Sequence, residues 1–234
     1  MNRPLTAVET SPDLGNPEYR EALVEMLANH MVGEALGADA LGPHFRLCPD
    51  LHARRKLGII IEQEAKHGYM LARLLKDLGE NPEQHFLRIT GSGLPPYHRM
   101  MIQEKSWTNV IVGSVFLIDP TGVAFMTANM ETNYLPLRGA CDRMLKEEAF
   151  HIRFGRAEFR KLADAGRDEC QDAINVYFPI ALKIMGKKDS KRGENYQRLG
   201  LRKLSAGQIR ENYLSMVIPW IEAAGLTVPE FERW

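Results

Sequence analysis

Lys146-Glu147-Glu148-Ala149-Phe150-His151 decides the reading of this chain. Glu148 and His151 stand three residues apart, so on a helix a carboxylate and an imidazole share one face, one above the other. A second copy lies upstream in Glu64-Ala65-Lys66-His67. Random placement of the glutamates and the 7 histidines yields about 0.6 such pairs in a chain of this length, so a single copy carries no information. Two copies on facing helices are half of a carboxylate-bridged dinuclear metal site in a four-helix bundle; the other half is one carboxylate from each of two further helices. Glu34 and Asp119 supply these. Glu34 precedes Glu64, and Asp119 precedes Glu148, by about 30 residues. That is the length of an outward and a return leg of roughly 17–22 Å in an antiparallel helix pair. The predicted fold is therefore all-α: a ferritin-like four-helix bundle with a long crossover between its second and third helices and further helices after the fourth.

Working outward, residues 1–17 carry three prolines and Gly15 and read as an irregular arm before one helical domain over 18–234. Its core bundle spans about 18–165 and its C-terminal helices about 167–224. Apolar periodicity predicts a first helix over about 19–41, with Glu34 on the stripe that holds Met31. The second runs from about 49 to Gly79 and points Glu64 and His67 inward, where an unpaired carboxylate is costly. Prolines and glycines over 80–105 make the crossover, with one short helix near 82–89. The third helix covers about 106–134. Its apolar run is broken by Asp119-Pro120, which reads either as an inward carboxylate at a kink or as an N-cap that starts a new helix. The fourth covers about 136–165, the fifth about 167–185 and the sixth about 205–224, and Gly186 to Gly193 reads as a charged loop.

Composition removes several function classes. Thirty basic and 30 acidic side chains give a formal net charge of zero, without the basic excess that marks nucleic-acid binding. The three cysteines, Cys48, Cys141 and Cys170, form no CxxC and no disulfide framework. No unbroken run of apolar residues reaches the length of a membrane span, and no signal peptide stands at the N-terminus. These features lead us to expect a cytoplasmic protein with neither nucleic-acid nor membrane partners.

Four carboxylates with two imidazoles suit two ions of iron, with manganese as the second choice; zinc prefers fewer carboxylates. Around such a site Gln63 and Glu147 are placed to hold the imidazoles. Phe116, Phe125, Met126 and Phe150 are candidate walls of a substrate pocket, and each is equally a candidate for plain core packing. Lys187, Lys188, Lys191 and Arg192 can meet a phosphate or stand in a solvated loop.

Gly33-Glu34, Glu64-Ala65-Lys66-His67-Gly68, Asp119 and the stretch from Lys146 to His151 together resemble the catalytic subunits of the phenylacetyl-CoA epoxidase family and, more distantly, benzoyl-CoA epoxidase. Gln171-Asp172-Ala173-Ile174-Asn175 with Pro179, Val217-Ile218-Pro219, and the run from Gly225 to Pro229 extend the resemblance outside the site. The resemblance implies metal ligation by Glu34, Glu64, His67, Asp119, Glu148 and His151. It also implies a di-iron monooxygenase that uses O2 to oxidise an aromatic acyl-CoA such as phenylacetyl-CoA. An external reductase supplies electrons, and a related polypeptide without ligands, or a second copy, is the expected partner. Members usually carry an acidic residue where Gln63 stands and a small one where Lys66 stands, and most continue beyond Pro229. A ferroxidase or iron-storage role on the same bundle and a non-catalytic partner role are the alternatives. The chain after the fourth helix argues against storage, and the retention of all six ligand positions argues against a bystander, since an unused buried carboxylate cluster only destabilises a core.

Overall fold

The polypeptide places an ionisable layer between two apolar clusters, and each of its four central helices crosses from one cluster to the other. The structure, a computed structural model, describes residues 12–91, 93–187 and 190–231. The first central helix, α1 (Pro17–Leu41), begins where Asn16 accepts a hydrogen bond from the Glu18 amide and Pro17 occupies the first helical position. α2 (Leu51–Asp77) begins at Asp50, whose carboxylate accepts from the Ala53 amide at 2.7 Å. It ends before Gly79, which takes a positive φ of 79° that a residue with a Cβ avoids. α1 and α2 form the most extensive helix pair. A Cβ on Gly68 would stand 3.3 Å from the Ala35 amide nitrogen, so this glycine lets the two backbones approach.

The crossover contains two helices, α3 (Pro82–Thr90) and α4 (Pro96–Ile102). Sequence reading expected only the first. Pro95-Pro96 signals a break, yet Pro96 also presets the backbone of a first helical turn.

α5 (Trp107–Asn129) is continuous and passes through a π-helical stretch at Ile111–Ile118. The amide of Asp119 donates to the carbonyl of Ser114, five residues back. Pro120 has no amide to donate and its ring crowds the carbonyl four residues earlier; the wider π turn relieves that conflict without breaking the helix. Asp119 therefore caps nothing, and the N-cap alternative is set aside. α5 is long and apolar enough to cross a bilayer by length and composition, but 67% of its apolar window is buried inside the fold. It is a core helix.

α6 (Leu135–Ala165) follows a short connection and stops at Gly166. α7 (Arg167–Ile184), α8 (Lys191–Arg198) and α9 (Ala206–Ala223) complete the fold. α8 corrects the reading of this region as loop. Ser190 accepts from the Gly193 amide and starts a helix that has almost no apolar stripe to reveal it. A capping box between Ser205 and Gln208 starts α9.

The layering is visible along each central helix. In α2, Leu57 and Ile60 join one cluster and Leu71, Leu74 and Leu75 the other, with Glu64 and His67 between. In α6, Met144 belongs to one and Phe154 to the other, with Glu148 and His151 between. In α1, Met31 and Leu36 belong to one and Ala40 and Leu41 to the other, and Glu34 lies between Met31 and Leu36, shortly before the change. In α5, Asp119 follows the apolar run that ends at Leu117.

Candidate metal centre

The six side chains predicted as ligands come together in that layer. Glu34, Glu64, His67 and Glu148 each offer one donor atom within 4.8 Å of the others, and Glu64, Asp119 and His151 do the same. Glu64 belongs to both groups. Glu148 spans them: its Oε1 lies 3.2 Å from His67 Nδ1 and its Oε2 lies 3.2 Å from His151 Nδ1. The two imidazole centroids are 6.2 Å apart. His67 and His151 are fully buried, and Glu148 is 3% exposed.

Each imidazole is held from behind. His67 Nε2 lies 3.1 Å from Glu147 Oε2, and His151 Nε2 donates to Gln63 Oε1 at 3.0 Å. Both rings thus turn Nδ1 toward the centre, because an Nε2–H donated outward fixes the tautomer. The two anchors differ in charge. Glu147 is an anion that also pairs with Lys66. Bonds from Lys66 and His67 outweigh its partial burial and hold its carboxyl below the usual range. Gln63 is neutral. Gln63 and Lys66 are therefore both in contact with these anchoring bonds.

The electrostatics are those of a site built for cations. Burial alone would push the imidazoles toward neutrality. Hydrogen bonds to Glu148 and Glu34 reverse this at His67, which is held up at about 10. Bonds to Glu148 and Glu64 hold His151 up at about 11. Burial raises Glu34, and it raises Glu64 to about 8 against the pull of His151. Asp119 is pushed well up by burial and then by the neighbouring Glu64. Glu148 moves the other way: hydrogen bonds from both imidazoles outweigh burial and keep it ionised. Asp119 Oδ2 is buried without a hydrogen-bond partner, and His151 Nδ1 faces it at 3.8 Å while meeting Glu64 and Glu148 at 3.2 Å. Orphaned buried donors and acceptors are costly, and an inward-facing oxygen and nitrogen of this kind fit a metal ion.

Space for the carboxylates is also built in. A Cβ on Gly37 would lie 2.5 Å from Glu64 Oε2. Gly37→Ala is therefore expected to displace Glu64 and weaken metal binding by at least about tenfold, with helical content unchanged. Metal titration against circular dichroism checks this, and full affinity in the variant would remove Glu64 from the site.

A cavity of about 510 Å³ reaches this layer and is lined by Glu34, Glu64, Asp119 and Glu148 among others. Of the four pocket candidates, Phe125 and Met126 line it, with Ile118 beside them. Phe116 does not: it is 1% exposed and stacks on Phe159 at 3.8 Å between centroids, within the apolar cluster. Phe150 does not line it either, and meets the edge of His151 at 6.3 Å. For both, the alternative reading of plain packing is what the structure shows. Lys187 and Arg192 line the cavity and are exposed. Arg192 is engaged by Glu25 at 3.0 Å. Lys191 is exposed and outside the lining, and Lys188 lies outside the described residues. Sequence reading missed His30, Tyr97 and Arg202, which also line it. Tyr97 is hydrogen-bonded to Ser114 at 2.8 Å. All three come from segments whose spacing carries no motif.

Fold and site together define a ferritin-like protein with a buried, carboxylate-rich cluster that could hold metal. The chain belongs to the family described as phenylacetic acid catabolic protein, which it matches over residues 6–234, and with it to the oxidoreductases built on this bundle. It is 26% identical over 231 residues to one of the subunits of the 1,2-phenylacetyl-CoA epoxidase of Escherichia coli (strain K12), covering 96% of this chain and 74% of that protein. Among solved structures, a protein with aldehyde deformylating oxidase activity from Synechococcus superposes with a TM-score of 0.74 at 15% identity, covering 92% of this chain and 94% of that one. At that identity the likeness is one of fold.

Proposed function

We propose that this protein is the catalytic subunit of a di-iron monooxygenase that oxidises an aromatic acyl-CoA, with Glu34, Glu64, His67, Asp119, Glu148 and His151 as the metal ligands. The observation that carries the reading is the donor set: four carboxylates and two inward-facing Nδ1 atoms in one buried layer, opening on a cavity with apolar walls. Hard oxygen donors with imidazole suit iron or manganese. The substrate class rests on the relative, whose name states that it is an epoxidase of phenylacetyl-CoA and one of several subunits. A bundle that serves storage needs no substrate cavity of this size beside its metals.

Iron held by these residues would supply electrons for the reduction of O2, to be renewed by an external reductase. The chain's own residues position and exclude. Glu64 and Glu148 are the two carboxylates that reach both halves of the centre and would be shared between two ions held there. Glu147 and Gln63 hold the imidazoles. Ile118, Phe125 and Met126 keep water from the oxidising centre and give an aromatic ring an apolar wall. A cytoplasmic location goes with an acyl-CoA substrate.

The protonation pattern makes one consequence measurable. Below pH 8 both imidazoles and Glu64 hold protons in the metal-free protein. Metal binding must displace them, so affinity rises with pH and falls as pH is lowered. Between pH 8 and pH 6 the apparent affinity for Fe(II) is expected to drop by at least about tenfold per pH unit. Anaerobic calorimetry in buffers of different ionisation enthalpy reads the proton release directly. An affinity that does not change with pH would contradict this protonation pattern. The activity itself is tested by supplying the iron-loaded protein with phenylacetyl-CoA, O2 and a reductant. Oxygen incorporation into the acyl group supports the reading. Iron loading without any substrate-dependent O2 consumption, with the partner subunits present, would refute it.

A further inference from the structure

The cavity holds a buried cation that no acidic group among the described residues answers. Arg202 is 6% exposed, lines the same cavity as the carboxylate layer, and makes no ion pair and no side-chain hydrogen bond among the described residues. Its Nε is buried without an acceptor. Its guanidinium lies 5.6 Å from the centroid of Tyr196. The neighbouring charges do not help: Arg192 opposes it, and Glu25, the carboxylate felt at Tyr196, is engaged by Arg192. Arg202 in turn helps to keep His30 neutral, after burial, with a pKa of about 4.

The local chain is shaped to keep the guanidinium there. Gly200 takes a positive φ of 72° after α8, and the amides of Leu201 and Arg202 both reach the Tyr196 carbonyl, at 2.9 and 3.3 Å. The turn brings residue 202 back beside the first turn of its own helix. A Cβ on Gly193 would stand 2.8 Å from an Arg202 Nη, so glycine leaves the room that the guanidinium occupies. Isolated buried charges are among the costliest features a fold can carry. Arginine presents a planar fork of donors that matches a carboxylate or a phosphate in pairs.

We propose that Arg202 is the anion anchor of the substrate cavity, taking the carboxylate or phosphate oxygens of an anionic substrate whose apolar part lies against Phe125 and Met126. This deepens the oxygenase reading and rests on it for the identity of the bound molecule as substrate. The exposed Lys187 and the Glu25-paired Arg192 are then rim groups, and the buried guanidinium carries the recognition. A carboxylate reaching Arg202 makes the substrate a free aromatic acid; a phosphate reaching it makes the substrate a coenzyme A ester.

The test compares the iron-loaded wild type with Arg202→Met and Arg202→Lys. Calorimetric titration uses three probes: coenzyme A, inorganic phosphate and phenylacetate. Arg202→Met should fold as well as the wild type or melt higher, because it removes an unpaired buried charge. At least one probe should bind the wild type about tenfold or more tightly than Arg202→Met, with Arg202→Lys between them. Coenzyme A or phosphate as that probe assigns the phosphate source, and phenylacetate assigns the carboxylate. Equal affinity of wild type and Arg202→Met for every probe, or no binding of any probe by the wild type, would overturn the proposal. Iron content is measured on the same samples. Two irons per chain without anion selectivity ends the anchor proposal and leaves the oxygenase reading standing; no iron ends that reading, while the three-protein comparison still judges the anchor.

Discussion

Glu148→Ala abolishes metal loading while leaving the helices in place. Glu148 is the one side chain whose two oxygens each meet a different imidazole, both at 3.2 Å. It is also the carboxylate held ionised by those imidazoles. Removing it takes a bridging ligand from both metals at once and leaves His67 and His151 with fewer anions to balance them. The expected metal content after Fe(II) reconstitution falls from about two per chain to none. The effect on activity is complete, since among the described residues no other carboxylate lies within 4 Å of both imidazoles. Elemental analysis with circular dichroism separates this from unfolding. A helical variant that still binds two metals would remove Glu148 from the centre.

Metal loading raises the melting temperature by about 10 °C or more. In the metal-free protein the layer buries four carboxylates and two imidazoles, with Asp119 Oδ2 left without a hydrogen-bond partner. Ions that bind only the folded state stabilise it by about 2.7 kcal/mol per site at a hundredfold excess over Kd. A kcal/mol shifts the melting point of a chain of this length by about 2–4 °C, and two sites sum to the stated rise. Differential scanning calorimetry with and without Fe(II) under anaerobic conditions measures it. The same comparison in Glu148→Ala should show no rise. Unchanged melting of the wild type on loading would place the metal outside the core.

The layer was legible because its chemistry is periodic. Glu64 and His67, and Glu148 and His151, repeat one spacing on two helices, and Glu34 and Asp119 stand one helical hairpin away from them. Helix bounds followed from caps: Asp50, Gly79, Gly166 and Ser205 all mark ends that the structure uses. What sequence left hidden was of three kinds. The π stretch at Ile111–Ile118 comes from a backbone conflict at Pro120, and apolar periodicity is silent on that. α8 is polar nearly all round and is specified by its Ser190 cap. The walls of the cavity depend on which side of a helix faces it. Phe125 and Phe116 are equally apolar and nine residues apart, yet one lines the cavity and the other stacks on Phe159. Arg202 sits in Leu201-Arg202-Lys203, which looks like surface, and only its burial, without an ion pair among the described residues, distinguishes it from Lys203. In sequence, Gln63 and Lys66 stand out only against what the resemblance implies. In the fold they touch the two bonds that orient the imidazoles.

The central claim is that this layer holds two metals. The most direct measurement is iron per chain after anaerobic reconstitution with Fe(II), followed by exposure to O2. The account predicts about two irons per chain, bound before O2 is admitted and unchanged in number after it. Iron that fails to bind, or a count that climbs far beyond two as O2 is supplied, would contradict it.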